Sequence, residues 1–187
     1  MYFVFQSQMR NWGGGLLQAV VQSSPQFEPH WWLAQPFTLA PSSLTFTLNA
    51  KAPKPDNYFT GTLSIELYSI KLINLLIKAG VKNELLPAKI IDRKSKENLP
   101  LEYKAFHLLE IYPGWDRNQS IVDEKLRVTK LVLTEECLTN KRPFFRIEKL
   151  FLILIHEDLK KTLDNAGITG CVYIPVEDYR YRNFYEY

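Results

Sequence analysis

The side chains that could do chemistry in this chain are few and scattered. His156-Glu157-Asp158 is the densest polar triplet. General acid–base work needs an acid and a base converging on one point. Consecutive residues at a helix start fan out around the axis, so a cap with dipole-favoured acids is the plainer reading. His107 stands alone in an apolar stretch and reads as a core or edge histidine. Arg146 follows Phe144-Phe145, and a partly buried arginine there calls for an internal carboxylate. Asp116 and Arg117 sit in a polar turn, Pro113 to Ser120, beside Trp115. His107, Asp116 and Arg146 are the only set an enzyme reading could draw on, and it would need them gathered in one open cleft. Gly13-Gly14-Gly15 lacks the Gly-Lys-Ser/Thr and helix start of a phosphate loop.

Cys137 and Cys171 both neighbour apolar residues and read as free thiols. The histidines His30, His107 and His156 are far apart and offer no zinc spacing. No cofactor is expected. The tail Tyr179-Arg180-Tyr181-Arg182, continuing to Tyr187, alternates aromatics with arginine, the types that dominate protein interfaces. The same types stack on single-stranded bases. A docked edge strand is the structural alternative.

The elements that must hold these groups fall into two styles. Residues 1–62 are rich in proline and turns, with strands expected at Met1–Phe5, Leu16–Val21 and Leu44–Leu48. Residues 63–187 form the expected α+β core, the whole being one folded unit of 187 residues. Leu72, Leu75, Leu76 and Ala79 line one helix face after a Ser69 cap, and Gly80 ends it. Leu159, Leu163 and Ala166 line a second helix, His156–Ala166, closed by Gly167. Strands are expected at Leu86–Ile91, Tyr103–Ile111, Val128–Leu133 and Phe144–Ile147. Glu135–Leu138 reads as a turn or a single helical turn. A mixed or mostly antiparallel sheet packed by two main helices is the fold class.

The two helical units also echo each other. Leu67 matches Leu154, Leu72 matches Leu159, Leu76 matches Leu163, Ala79 matches Ala166 and Gly80 matches Gly167, each 87 positions apart. Common packing habits or a true pseudo-repeat would both produce this.

Composition narrows function only by exclusion. A net charge of +3 with no basic run argues against a nucleic-acid module. The apolar start lacks a basic flank, and no run nears the length of a membrane span, so a cytoplasmic location is expected.

From Pro55-Asp56-Asn57-Tyr58-Phe59 onward the chain resembles bacterial polymorphic-toxin immunity proteins of family eleven. The resemblance lies in many short pieces in order. They are Tyr68 to Leu72, Leu75-Leu76, Ala79-Gly80-Val81, Leu86-Pro87-Ala88, Trp115-Asp116 with Ser120, Phe145-Arg146, Ile155 to Lys160, Ala166 to Gly170, and Val176. It implies a cytoplasmic, non-enzymatic protein that binds and neutralises a cognate toxin domain. Immunity proteins against nucleases are often acidic, and +3 departs from that. Capping a toxin with aromatics fits better. By residue type, Trp115, Asp116 and Arg117 with Tyr179, Arg180, Tyr181 and Arg182 are the expected contacts.

Overall fold

The two helices form where apolar spacing and caps coincide. The computed structural model describes residues 1–8, 20–22, 36, 44–48, 54–58, 60, 66–150 and 152–181. Helix α1 (Ile70–Lys78) starts at Ser69, whose hydroxyl accepts from the Leu72 N–H, and buries Leu72, Ile73 and Leu76. Helix α3 (Glu157–Asn165) starts at His156, whose Nδ1 accepts from the Asp158 N–H at 3.3 Å, and buries Leu159 and Leu163. Both end in the same way. Gly80 and Gly167 take positive φ, and the next residue's N–H, of Val81 or Ile168, reaches back to the carbonyl of Leu76 or Leu163. Each fully buried leucine contributes roughly 1.5–3 kcal/mol. The short α2 (Glu135–Asn140) is capped by Thr134.

Thirteen strands are present among the described residues: β1 (Tyr2–Ser7), β2 (Val20–Gln22), β3 (Leu44–Leu48), β4 (Asn57–Tyr58), β5 (Glu66–Ser69), β6 (Asn83–Asp92), β7 (Tyr103–Leu108), β8 (Ile111–Tyr112), β9 (Ile121–Val122), β10 (Val128–Lys130), β11 (Phe144–Ile147), β12 (Ile153–His156) and β13 (Cys171–Pro175). They make a six-stranded sheet, β2-β3-β6-β7-β5-β4, a five-stranded sheet, β13-β1-β12-β11-β8, and the small hairpin β9–β10. Pairing is antiparallel except β3 with β6 and β11 with β8. The fold is α+β with mixed, mostly antiparallel sheets and two main helices, as expected.

Several boundaries differ from expectation for physical reasons. β6 begins at Asn83, ahead of Leu86, because Asn83 and Glu84 pair with Leu108 and His107. Pro87 is tolerated inside it. The Leu109 N–H bonds the Lys82 carbonyl, and alternation from that pair turns Pro87's missing donor away from β7. The apolar run Tyr103–Ile111 is not one strand. It breaks after Leu108, and Ile111–Tyr112 joins the other sheet. The Val128–Leu133 ladder stops at Lys130, and Leu133 makes only an isolated bridge with Trp115. Of Leu16–Val21, only Val20 and Val21 lie within the described residues.

Side-chain alternation sorts the apolar residues into three layers. The central cluster joins both helices to one face of each sheet through Phe5, Tyr68, Phe106, Leu108, Phe144, Ile153 and Ile155. The outer face of the six-stranded sheet buries Leu44, Phe46, Leu48, Tyr58, Leu67, Leu86 and Tyr103. The outer face of the five-stranded sheet, with Tyr2, Val4, Phe145, Ile147 and Leu154, is capped by Val128, Leu131, Cys137, Val176 and Tyr179.

The echo between the helical units is realised strand by strand. Asn57 and Tyr58 of β4 pair with Tyr68 and Leu67 of β5, as Phe144 and Phe145 of β11 pair with Ile155 and Leu154 of β12. The Ser69 N–H bonds the Asp56 carbonyl, as the His156 N–H bonds that of Pro143. Each unit then needs a strand between its second and last strands. In the first unit this is β7, with Phe106 opposite Glu66 and Leu85. In the second it is β1, with Phe5 opposite Ile153 and Tyr173. The strand orders β4-β5-β7-β6 and β11-β12-β1-β13 are therefore equivalent.

Candidate contact surface

Residues 112–134 build the cap on the five-stranded sheet and carry the first group of expected contacts. Trp115 is fixed by its bridge to Leu133, with the Asp116 N–H bonding the Val132 carbonyl and the Thr134 N–H that of Gly114. Its ring packs on the third cluster while its Nε1 is shielded and has no hydrogen-bond partner. Gly114 is required here, because a Cβ would meet the Cys137 Sγ at 2.8 Å. Asp116 turns inward on its own loop. Its carboxylate accepts from the Asn118 and Gln119 N–H groups at 2.8 and 3.1 Å and from the Gln119 amide at 2.8 Å. Those donors, the Asn118 N–H foremost, hold its carboxyl below the usual range. Arg117 is exposed, lies 5.6 Å over the Trp115 ring and reaches Glu148 at 3.6 Å.

The second group divides. Tyr179 is only 5% exposed and belongs to the core, so its ring is not on the surface. Arg180 is exposed and donates to the carbonyls of Glu177 and Tyr179, both at 2.8 Å. Tyr181 is 40% exposed, its N–H bonding the Val128 carbonyl at 2.7 Å. Arg182 lies outside the described residues.

Both groups thus attach to the segment 128–133, Tyr181 at Val128 in β10 and Trp115 at Leu133 just beyond it. Arg127, held by Asp123, lies 5.9 Å over the Tyr181 ring. Leu126, in a left-handed conformation at φ 60°, and Ile121 are large apolar residues exposed on the same hairpin. Sequence reasoning missed this pair because strands of two and three residues show no periodicity. The only signal was two isolated apolar residues among charges.

The residues an enzyme would draw on are not brought together. His107 shares a strand face with Tyr103 and Ala105, outside the six-stranded sheet, and its Nδ1 lies 3.4 Å from Glu84. Arg146 shares a face with Phe144 and points into the central layer. Asp116 lies beyond the third cluster. The internal bridge expected of Arg146 is not formed: Glu66 is its electrostatic neighbour, yet no ion pair within 4.0 Å joins them.

His156 caps α3, while Glu157 bonds the Met1 amine at 2.8 Å and Lys161 at 3.0 Å, which pulls its carboxyl down to about 2. Cys137 and Cys171 are free thiols, pushed up by burial to about 11 and about 12. Among the described residues no cluster of three or more His, Cys, Asp or Glu could hold a metal ion, and no helix is long and apolar enough to cross a membrane.

The cap presents aromatic rings under arginines, with apolar side chains in the open. No protein-family model matches the chain, and no curated protein shows significant similarity to it.

Proposed function

We propose that this protein binds and neutralises a cognate bacterial polymorphic toxin in the cytoplasm, as a stoichiometric inhibitor without catalysis of its own. The sequence resemblance motivates the reading. The observation that carries it is the cap surface, where Arg117 covers Trp115, Arg127 covers Tyr181, and Ile121 and Leu126 stand exposed. Aromatic and arginine side chains around exposed aliphatics are the composition of interface hot spots. The contacts are Trp115, Arg117, Arg180 and Tyr181, joined by Ile121, Leu126 and Arg127. Asp116 shapes the loop rather than reaching outward.

The test is co-expression with the toxin domain encoded beside the gene, followed by pull-down and growth rescue. A stable one-to-one complex and rescued growth are expected. Tyr181→Ala and Arg117→Ala should each weaken the complex about tenfold or more. Absence of both complex and rescue removes the proposal. Full binding by both variants moves the interface off the cap.

A further inference from the structure

The central layer between the sheets is not wholly apolar. Phe5 is ringed by Phe144, Tyr173 and Tyr68, at centroid distances of 5.1, 5.8 and 6.3 Å. The Tyr68 hydroxyl and the Arg146 Nε are shielded and have no hydrogen-bond partner, while the Tyr173 hydroxyl lies beside the Cys171 thiol. Arg146 comes from the five-stranded sheet and is 3% exposed. Glu66 comes from the facing sheet, on the same strand face as Tyr68.

The cluster is not wholly closed off from solvent. Glu66 is hemmed in by protein, yet part of its surface stays open. Tyr173 and Cys171, two residues apart on one face of β13, also keep part of their surface open. Glu66, the acid that Arg146 feels, forms no ion pair with it within 4.0 Å, and burial works against the charged carboxylate there. A guanidinium has only donors, and a buried one without an anion is heavily penalised. Water could satisfy the hydrogen bonds but not the charge.

We propose that the space beside Arg146 takes up a small oxyanion, gripped by the Arg146 guanidinium and by the hydroxyl of Tyr68, its electrostatic neighbour across the layer. The planar guanidinium fork suits a carboxylate or a phosphate. The sheets meet close by, through the edge-to-face contact of Phe5 with Tyr68, which favours a small ligand. The site is independent of the cap and of the toxin-binding reading.

The test is thermal unfolding of the full chain at constant ionic strength, with chloride replaced by acetate or by inorganic phosphate. A saturable rise in Tm of about 2–4 °C is expected well above half-saturation. A rise with acetate alone assigns a carboxylate, and one with phosphate alone a phosphate. Arg146→Met should fold and lose the response, since an apolar side chain of similar length leaves no buried charge. Tyr68→Phe should weaken the half-saturating concentration about three- to tenfold, and it carries the test if Arg146→Met does not fold. No rise beyond chloride, or a rise unchanged in the variants, overturns the proposal.

Discussion

The first repeat receives its inserted strand from the chain that follows it, and the second from the chain that precedes it. β7 comes after β6, whereas β1 comes before everything else in its sheet, yet Phe106 and Phe5 occupy matching registers. Strand position is set by register and by which side chains face the core, not by order along the chain. The differences between the repeats are equally instructive. Where the second repeat has Ile153 facing the central layer, the first has Glu66, and the acid lies in the layer that also holds the unpaired Arg146. Helix α1 buries three residues and leaves Ile77 exposed, while α3 buries two and dresses its surface with ion pairs.

The strongest way to break the equivalence is at its centre. Phe5→Ala and Phe106→Ala should each lower stability by about 3–5 kcal/mol, read from urea unfolding. A loss under about 1 kcal/mol for Phe5→Ala alone would show that β1 is not the counterpart of β7. Next comes Gly170→Ala. Its φ is +79°, and a Cβ would lie 2.4 Å from the Asn57 carbonyl oxygen, so a loss of about 2–4 kcal/mol is expected. Gly80→Ala and Gly167→Ala have positive φ but open space, and each should lose about 1 kcal/mol, equally in the two repeats.

The caps sharpen the comparison by pH. Ser69→Ala should lose about 1 kcal/mol at any pH near neutral. His156 differs, because burial and then the nearby amino terminus hold its pKa below the ordinary value. Above that ordinary value neither the folded nor the unfolded chain is protonated there. As pH falls through it, the unfolded chain binds the proton first, so stability drops. Tm should therefore fall between about pH 7.5 and 5.5, and fall less in His156→Asn, which keeps a capping acceptor. An equal fall in both proteins refutes the assignment. The smallest effect belongs to Lys161→Ala on the α3 surface, where no resolvable shift in the urea midpoint is expected.

Much of this was legible locally. Leu72, Leu76, Leu159 and Leu163 announce buried faces through their spacing, and Gly80 and Gly167 announce their ends, because helix signals are short-range. The repeat of Leu67 in Leu154 was visible as letters, but the matching Phe5 and Phe106 were not, since alternation in a strand says nothing about its partner. The apolar run Tyr103–Ile111 looked continuous because a change of sheet leaves no mark in hydropathy. On the cap, Trp115 and Tyr181 were found by residue type. The same reasoning placed Tyr179 outside, although docking of the 3₁₀ turn Val176–Asp178 takes its ring into the core. Arg146 was recognised as needing an acid, but Glu66 comes from the other sheet and stops short of it.

The placement of β1 also governs the order in which the molecule can be made. The backbone that leads β1 and the helix start it meets are separated along the chain, Met1 and Glu157 being 156 positions apart. During synthesis Tyr2-Phe3-Val4-Phe5 emerges well ahead of β12 and β13 and has neither partner until both have followed. The first repeat, with its inserted strand close behind it, can close much sooner. A nascent chain therefore carries an unpaired, apolar, strand-forming segment while the intervening residues are made, and long-range strand pairing of this kind is slow and exposed to aggregation.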